Sequence, residues 1–180
     1  MSETCSRSVL AGLLWLLAGC AWAADLWDQL GPARIGVTRE QLAAPMTCSA
    51  VEQEQVCALS ADAGVTFAGV PVRAVELRFA HEQLARVAVS VRERYYSALL
   101  SFLGGHFGAS EDRTFQARGG MAAAEFEAGV HLWTHDSVSL VLEQFAGKID
   151  RSVLTYGRAD AMADLVRSKT SYPRGSHRDL

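Results

Sequence analysis

An apolar run from Val9 to Trp22 constrains this chain more than any later segment. It follows a polar stub containing Arg7 and closes on the small residues Ala18, Gly19, Ala21, Ala23 and Ala24. A permanent membrane-spanning helix takes about 20 apolar residues; this shorter run has the layout of a cleaved secretory signal. The chain is therefore expected to fold outside the cytoplasm, in an oxidising compartment. Cys5 and Cys20 belong to the leader or its processing site, which leaves Cys48 and Cys57. An isolated cysteine pair around a short loop predicts a structural disulfide there, worth about 2–3 kcal/mol through the unfolded state. The spacing is far from the C-x-x-C of thiol oxidoreductases, and no paired metal-type cysteine motif occurs elsewhere, so neither redox catalysis nor a zinc site is expected.

Two cleavage readings are open. Leu17-Ala18-Gly19-Cys20 resembles the lipobox of bacterial lipoproteins, which implies a leader of residues 1–19 and an acylated Cys20 as the first mature residue. The resemblance also implies an outer-membrane destination, because Ala21 stands where an inner-membrane retention signal has aspartate. Ala21-Trp22-Ala23 is equally a small-x-small site, which implies a leader of residues 1–23 and a soluble periplasmic protein beginning at Ala24.

Removal of the leader leaves about 155 residues, the size of one domain with an ordinary core. Residues 24–168 are read as that domain and residues 169–180 as a flexible basic tail, where Arg174 and Arg178 continue the charge of Arg167 and Lys169 against Asp179. The formal net charge of −3 gives no electrostatic case for nucleic-acid binding.

Leu26, Trp27 and Leu30 have helical spacing before Gly31-Pro32, and Thr38 with Gln41 forms a capping-box pattern for a short helix ahead of Pro45. The cysteine pair brackets a hairpin or stapled loop over Thr47–Ser60. Strands are expected at Gly64–Phe67, Val75–Phe79 and Leu84–Val91, the last two alternating apolar with polar residues around a turn at His81-Glu82-Gln83. From Glu93 to Phe107, the positions Tyr95, Leu99, Phe102, Leu103 and His106 predict a helix covering one sheet face. Strands follow at Arg113–Gln116, Ala123–Phe126, Val130–Thr134, Ser137–Phe145 and Ser152–Tyr156. A last helix from Ala159 carries Met162, Leu165 and Val166 and stops at Tyr172-Pro173. This order predicts an α+β fold: antiparallel sheet covered by short helices, a plan that the second half repeats in coarse form, with one disulfide.

Ile35-Gly36-Val37-Thr38-x-x-Gln41, placed soon after a lipobox and followed by hairpins, resembles the opening of the small lipoproteins of the outer-membrane β-barrel assembly machinery. Leu42-Ala43-Ala44-Pro45 replaces the Leu-Gly-x-Pro often found next in those proteins. The element order also resembles the β-lactamase-inhibitor-like fold, which implies two helix-plus-strands units, one over Thr38–Val91 and one over Glu93–Tyr156. These likenesses imply a small envelope protein; they carry no residue-level role.

No G-x-S-x-G elbow, phosphate loop or G-x-G-x-x-G is present. His81-Glu82 begins like a zinc-protease motif, but Ala85 takes the place of the second histidine. His131, Trp133, His135 and Asp136 form a local cluster of ligand types. On a strand, however, the two histidines stand about 13 Å apart, too far to share a metal. Glu125, Glu127 and Glu143 read as solvated sheet residues rather than a glycosidase pair. The expectation is a non-enzymatic protein without cofactor or metal, a binding or assembly module of the bacterial envelope whose partner is an envelope protein, with membrane association through a Cys20 lipid. A periplasmic inhibitor or solute-binding protein is the alternative, followed by a cell-wall hydrolase.

Overall fold

The computed structural model describes residues 25–42, 45–51, 54–59, 65–119, 124–171 and 177–179. Cys5, Cys20, both cleavage sites and the expected stop at Tyr172-Pro173 lie outside the described residues. Twelve strands are described: β1 (Met46–Val51), β2 (Glu54–Leu59), β3 (Thr66–Phe67), β4 (Val70–Ala80), β5 (Gln83–Arg92), β6 (Glu111–Asp112), β7 (Phe115–Gly119), β8 (Ala124–Ala128), β9 (Val130–His135), β10 (Val138–Glu143), β11 (Arg151–Arg158) and β12 (His177–Asp179). The helices are α1 (Trp27–Leu30), α2 (Tyr96–Phe107) and α3 (Ala159–Thr170), with 3-10 turns at Pro32–Arg34, Arg39–Gln41 and Glu93–Tyr95.

The fold is α+β. The main sheet runs β1-β2-β4-β5-β11-β10-β9-β6, every neighbouring pair antiparallel, with β3 folded back on β4. Each half contributes four strands to this order, and the last strand of each half, β5 and β11, meet at the centre. The strand order of the second half mirrors that of the first, while the expected first unit has only the 3-10 turn Arg39–Gln41 where its helix was expected.

Alternation explains the layers. Leu77, Phe79, Val87, Val89, Leu140, Leu142, Leu154 and Tyr156 point to one face and are buried beneath α1 and α2. Tyr96, Leu99 and Leu103 form the buried stripe of α2, so the helix is set one position from the Tyr95 reading, and the preceding residues Glu93–Tyr95 wind as a 3-10 turn. On the other face Val130, Leu132 and Val141 pack with Met162 of α3 and with Phe115 and Ala117 of β7. The Nζ of Lys169 lies 2.5 Å from the Glu143 carboxylate, a largely sheltered ion pair that ties the end of α3 to β10.

Cys48 and Cys57 stand opposite each other in the β1–β2 register and are joined as a disulfide. The segment is a true hairpin, stapled across its middle. The β4–β5 connection is tighter than expected: Gln83 already pairs with Ala80, so His81 and Glu82 alone turn the chain, both at positive φ (50° and 64°). The Thr38 pattern yields a single 3-10 turn, in which Gln41 Oε1 accepts from the Thr38 N–H at 2.9 Å.

Two regions depart from the sequence reading. The expected Arg113–Gln116 strand straddles a break: Arg113 and Thr114 lie between β6, which belongs to the main sheet, and β7, which starts at Phe115 and pairs with β8 in a separate small sheet. His177–Asp179, expected within a flexible tail, forms β12 parallel to β7. The free edge of β7 offers unpaired backbone N–H and C=O groups, and satisfying them takes no particular side chains, so composition gave no sign of the strand.

Candidate functional site

The β9–β10 turn, the C-terminal end of α2 and the α1–Arg34 segment converge at one end of the main sheet. Helix α1 exists because Leu26 and Leu30 bury against the sheet, while Gly31 ends it. A side chain at Gly31 would place its Cβ 2.5 Å from the Trp27 carbonyl oxygen, so glycine is required there. The Tyr156 hydroxyl donates to the Leu30 carbonyl and fastens this segment to β11. Burial pushes the Tyr156 phenol well above its ordinary pKa, so it stays a donor. The Asp25 carboxylate accepts from the N–H groups of Trp27, Ala68 and Gly69 at 3.0, 2.9 and 2.8 Å, and so joins α1 to the β3–β4 turn.

Trp27 is thereby held at the centre of an aromatic cluster. Its ring meets Phe67, Phe102, His106 and Phe107 edge-on, with centroids 5.3, 4.7, 5.3 and 6.3 Å away. Phe102 stacks on His106 at 4.1 Å, and Phe107 reaches His135 at 5.7 Å. Of this cluster, Trp27, His106, Phe107 and His135 line a cleft of about 600 Å³. Gly31, Pro32, Trp27, Val138 and Leu140 form its floor; Asp28, Arg34, His106, His135, Asp136 and Ser137 stand exposed on its rim. An apolar concavity with a few polar groups at its edge is the usual form of a ligand site.

The rim polar groups are only partly committed. His106 Nδ1 lies 2.9 Å from the Phe102 carbonyl oxygen, which can only accept, so Nδ1 donates there and Nε2 is left without a partner in that contact. His135 Nε2 is 3.5 Å from the Asp136 carboxylate, and Asp136 turns the chain at φ 53°. The Arg34 guanidinium donates one long bond, 3.4 Å, to the Gln29 carbonyl. The arrangement offers donors, acceptors and both signs of charge around an aromatic wall.

The histidines singled out in the sequence do not come together. His131 and His135 lie on strand β9 with Trp133 between them; His131 Nδ1 is 2.9 Å from Ser110 Oγ, whereas His135 belongs to the cleft. Among the described residues no group of three or more His, Cys, Asp or Glu side chains is placed to hold a metal. Glu125 pairs with Arg118 at 2.6 Å, Glu127 accepts from Gln116 at 3.3 Å, and Glu143 pairs with Lys169. The Cys48–Cys57 bridge staples the β1–β2 edge of the sheet and lines no part of the cleft. Sequence reasoning did not find the cleft, because Trp27, His106 and His135 are brought together only by the tertiary fold.

Among the described residues no helix is long and apolar enough to cross a membrane. Comparison of the chain with models of protein families, with curated proteins and with solved structures finds no match.

Proposed function

We propose that this chain is a non-catalytic binding module of the bacterial cell envelope, exported by its leader, and that the aromatic cleft is its contact surface for an envelope protein. The cleft carries the reading: an apolar floor with a partly committed polar rim is a recognition surface, and the backbone beneath it is fixed where the Trp27 N–H donates to Asp25 and Tyr156 donates to the Leu30 carbonyl. The apolar run Val9–Trp22 and the paired Cys48 and Cys57 fit an oxidising compartment. Attachment through an acylated Cys20 would restrict the partners to membrane proteins and the wall. The cleft volume favours a second reading, a periplasmic solute-binding protein or inhibitor, because about 600 Å³ also suits a small molecule.

Photo-crosslinking in whole cells tests both. A crosslinking residue at Ala33 or Ser137, on the cleft, is expected to give discrete protein adducts, whereas one at Ala163, exposed on α3, gives none. Trp27→Ala should remove the adducts. A small molecule retained in native mass spectra and lost in Trp27→Ala, without protein adducts, would select the second reading. Adducts equal at all three positions would refute the cleft as the contact surface.

A further inference from the structure

The opposite end of the sheet carries a different surface. Here β5 ends at Arg92, β11 begins at Arg151, and the loop between β10 and β11 projects Lys148, Ile149 and Asp150. Ile149 is 62% exposed, one of two large hydrophobic side chains so exposed among the described residues. Its position is fixed by the backbone. The Ala146 N–H donates to the Arg151 carbonyl at 2.9 Å, the Arg151 N–H to the Lys148 carbonyl at 3.2 Å, and the Glu93 N–H to the Asp150 carbonyl at 3.0 Å. The Arg151 guanidinium also donates to the Ala146 carbonyl. A single exposed aliphatic side chain is ordinary on a protein surface, so the charges that surround this fixed tip decide what it fits.

The surroundings of Ile149 are cationic. A bulge in β4 between Val72 and Ala74 takes Arg73 out of the ladder, and its guanidinium reaches the Asp150 carboxylate at 2.7 Å. Arg92 and Arg94 line the same shallow hollow beside Ile149, and Lys148 precedes it. Arg94 lies 4.8 Å over the Tyr95 ring, which orients it, and Arg92 makes no ion pair among the described residues. Four cations thus face two carboxylates, and both carboxylates are engaged: Asp150 by Arg73, Glu93 by the Gln144 amide at 2.6 Å.

We propose that this end of the molecule docks on an anionic bilayer, with Ile149 entering the interfacial zone while Arg92, Arg94 and Lys148 meet lipid phosphates. An aliphatic side chain ringed by cations is complementary to that interface, where apolar burial and headgroup charge act within a few ångströms of each other. The cleft lies at the other end of the strands and would face away from the membrane, open to a partner. This surface is independent of the nature of the cleft's ligand.

The exported chain is tested against vesicles of phosphatidylethanolamine with phosphatidylglycerol and against vesicles of phosphatidylcholine alone. Quenching by brominated lipids of the added fluorescence of Ile149→Trp is expected only with the anionic vesicles, and it reads insertion whether or not an acyl chain also anchors the protein. Arg92→Gln with Arg94→Gln should weaken the lipid-dependent signal about 30-fold, roughly fivefold for each lost basic contact. Ile149→Ser should weaken association by about tenfold while the circular dichroism spectrum is unchanged. Equal quenching with phosphatidylcholine, or none with either lipid, overturns the proposal. So does full vesicle binding by Ile149→Ser with loss only in the arginine variant, which would assign a general anion patch instead.

Discussion

Reduction of the Cys48–Cys57 disulfide should lower stability by an amount set by the loop that it closes. The two cysteines are nine positions apart, and the chain-entropy relation gives about 2.6 kcal/mol at 25 °C for a loop of nine. For a domain of this size each kcal/mol moves the melting midpoint by about 2–4 °C, so the oxidised protein should melt roughly 5–10 °C above the reduced one. The loss should be uneven. Among the described residues β1 pairs only with β2, so Met46–Val51 has one neighbour and no second ladder to hold it. Cys57 is fully buried against the main core, whereas Ser49, Ala50 and Val51 are exposed. Scanning calorimetry of oxidised and phosphine-reduced protein, with hydrogen exchange read at Met46–Val51 and at Val87–Val91, checks both parts. Reduction should speed exchange in β1 first and leave the centre of β5 protected. The Cys48→Ala, Cys57→Ala chain should behave as the reduced protein, with an added loss from the truncated Cys57 site. A midpoint shift under about 2 °C with unchanged exchange in β1 would refute the assignment of stability to the staple.

Tyr156→Phe removes the donor that holds the Leu30 carbonyl, and should cost about 1–2 kcal/mol in denaturant unfolding and loosen Trp27, read as a changed tryptophan emission; an unchanged midpoint and spectrum would refute that anchor. Asp25→Ala strands three backbone N–H groups and should cost about 2 kcal/mol, with a larger effect than Asp28→Ala, whose carboxylate stands exposed on the cleft rim. Arg73 holds the Asp150 carboxyl below its ordinary 3.8, chiefly through their hydrogen bond. A depressed carboxyl pKa contributes stability that is complete above the unfolded value and is lost as pH falls through the folded one. Arg73→Gln should therefore raise the Asp150 pKa toward 3.8 in a carboxyl NMR titration, and its stability should converge with the parent's only in acid.

The strands that share the main core were legible in sequence through their alternation. β4 does have one dry and one partly wet face, whereas β10, expected to be wet on one face, is buried on both, because Ser139 is buried and Val141 packs into the core beneath α3 and the small sheet. Val75, Leu77 and Phe79 alternate with Glu76 and Arg78, and Val138, Leu140 and Leu142 alternate in the same way along β10. The disulfide was legible because Cys48 and Cys57 are an isolated pair around a short loop once Cys5 and Cys20 are assigned to the expected leader. Element ends were not: β4 begins at Val70 rather than Val75, because a bulge at Arg73 breaks the period while pairing continues with β5 at Val72 and with β3 at Pro71 and Val70. The small sheet of β7, β8 and β12 was read only in part, since Gln116, Arg118, Glu125 and Glu127 give alternation without a strong apolar face, and β12 carries no pattern at all. The cleft left the weakest trace. Trp27 reads as an ordinary amphipathic position and His106 as one more residue on a helix face. Their meeting depends on α1 lying across the end of α2, which no local period encodes.

Export underlies the assignment to the envelope, and the mass of the intact protein recovered from its native host under non-reducing conditions tests it most directly. The predicted result is a chain that starts at Ala24 or at an acylated Cys20, lighter by two hydrogens than its sequence mass for the bond between Cys48 and Cys57. A chain recovered from the cytoplasm with residues 1–24 intact and both thiols free to alkylate would contradict export, the structural disulfide and the envelope function together.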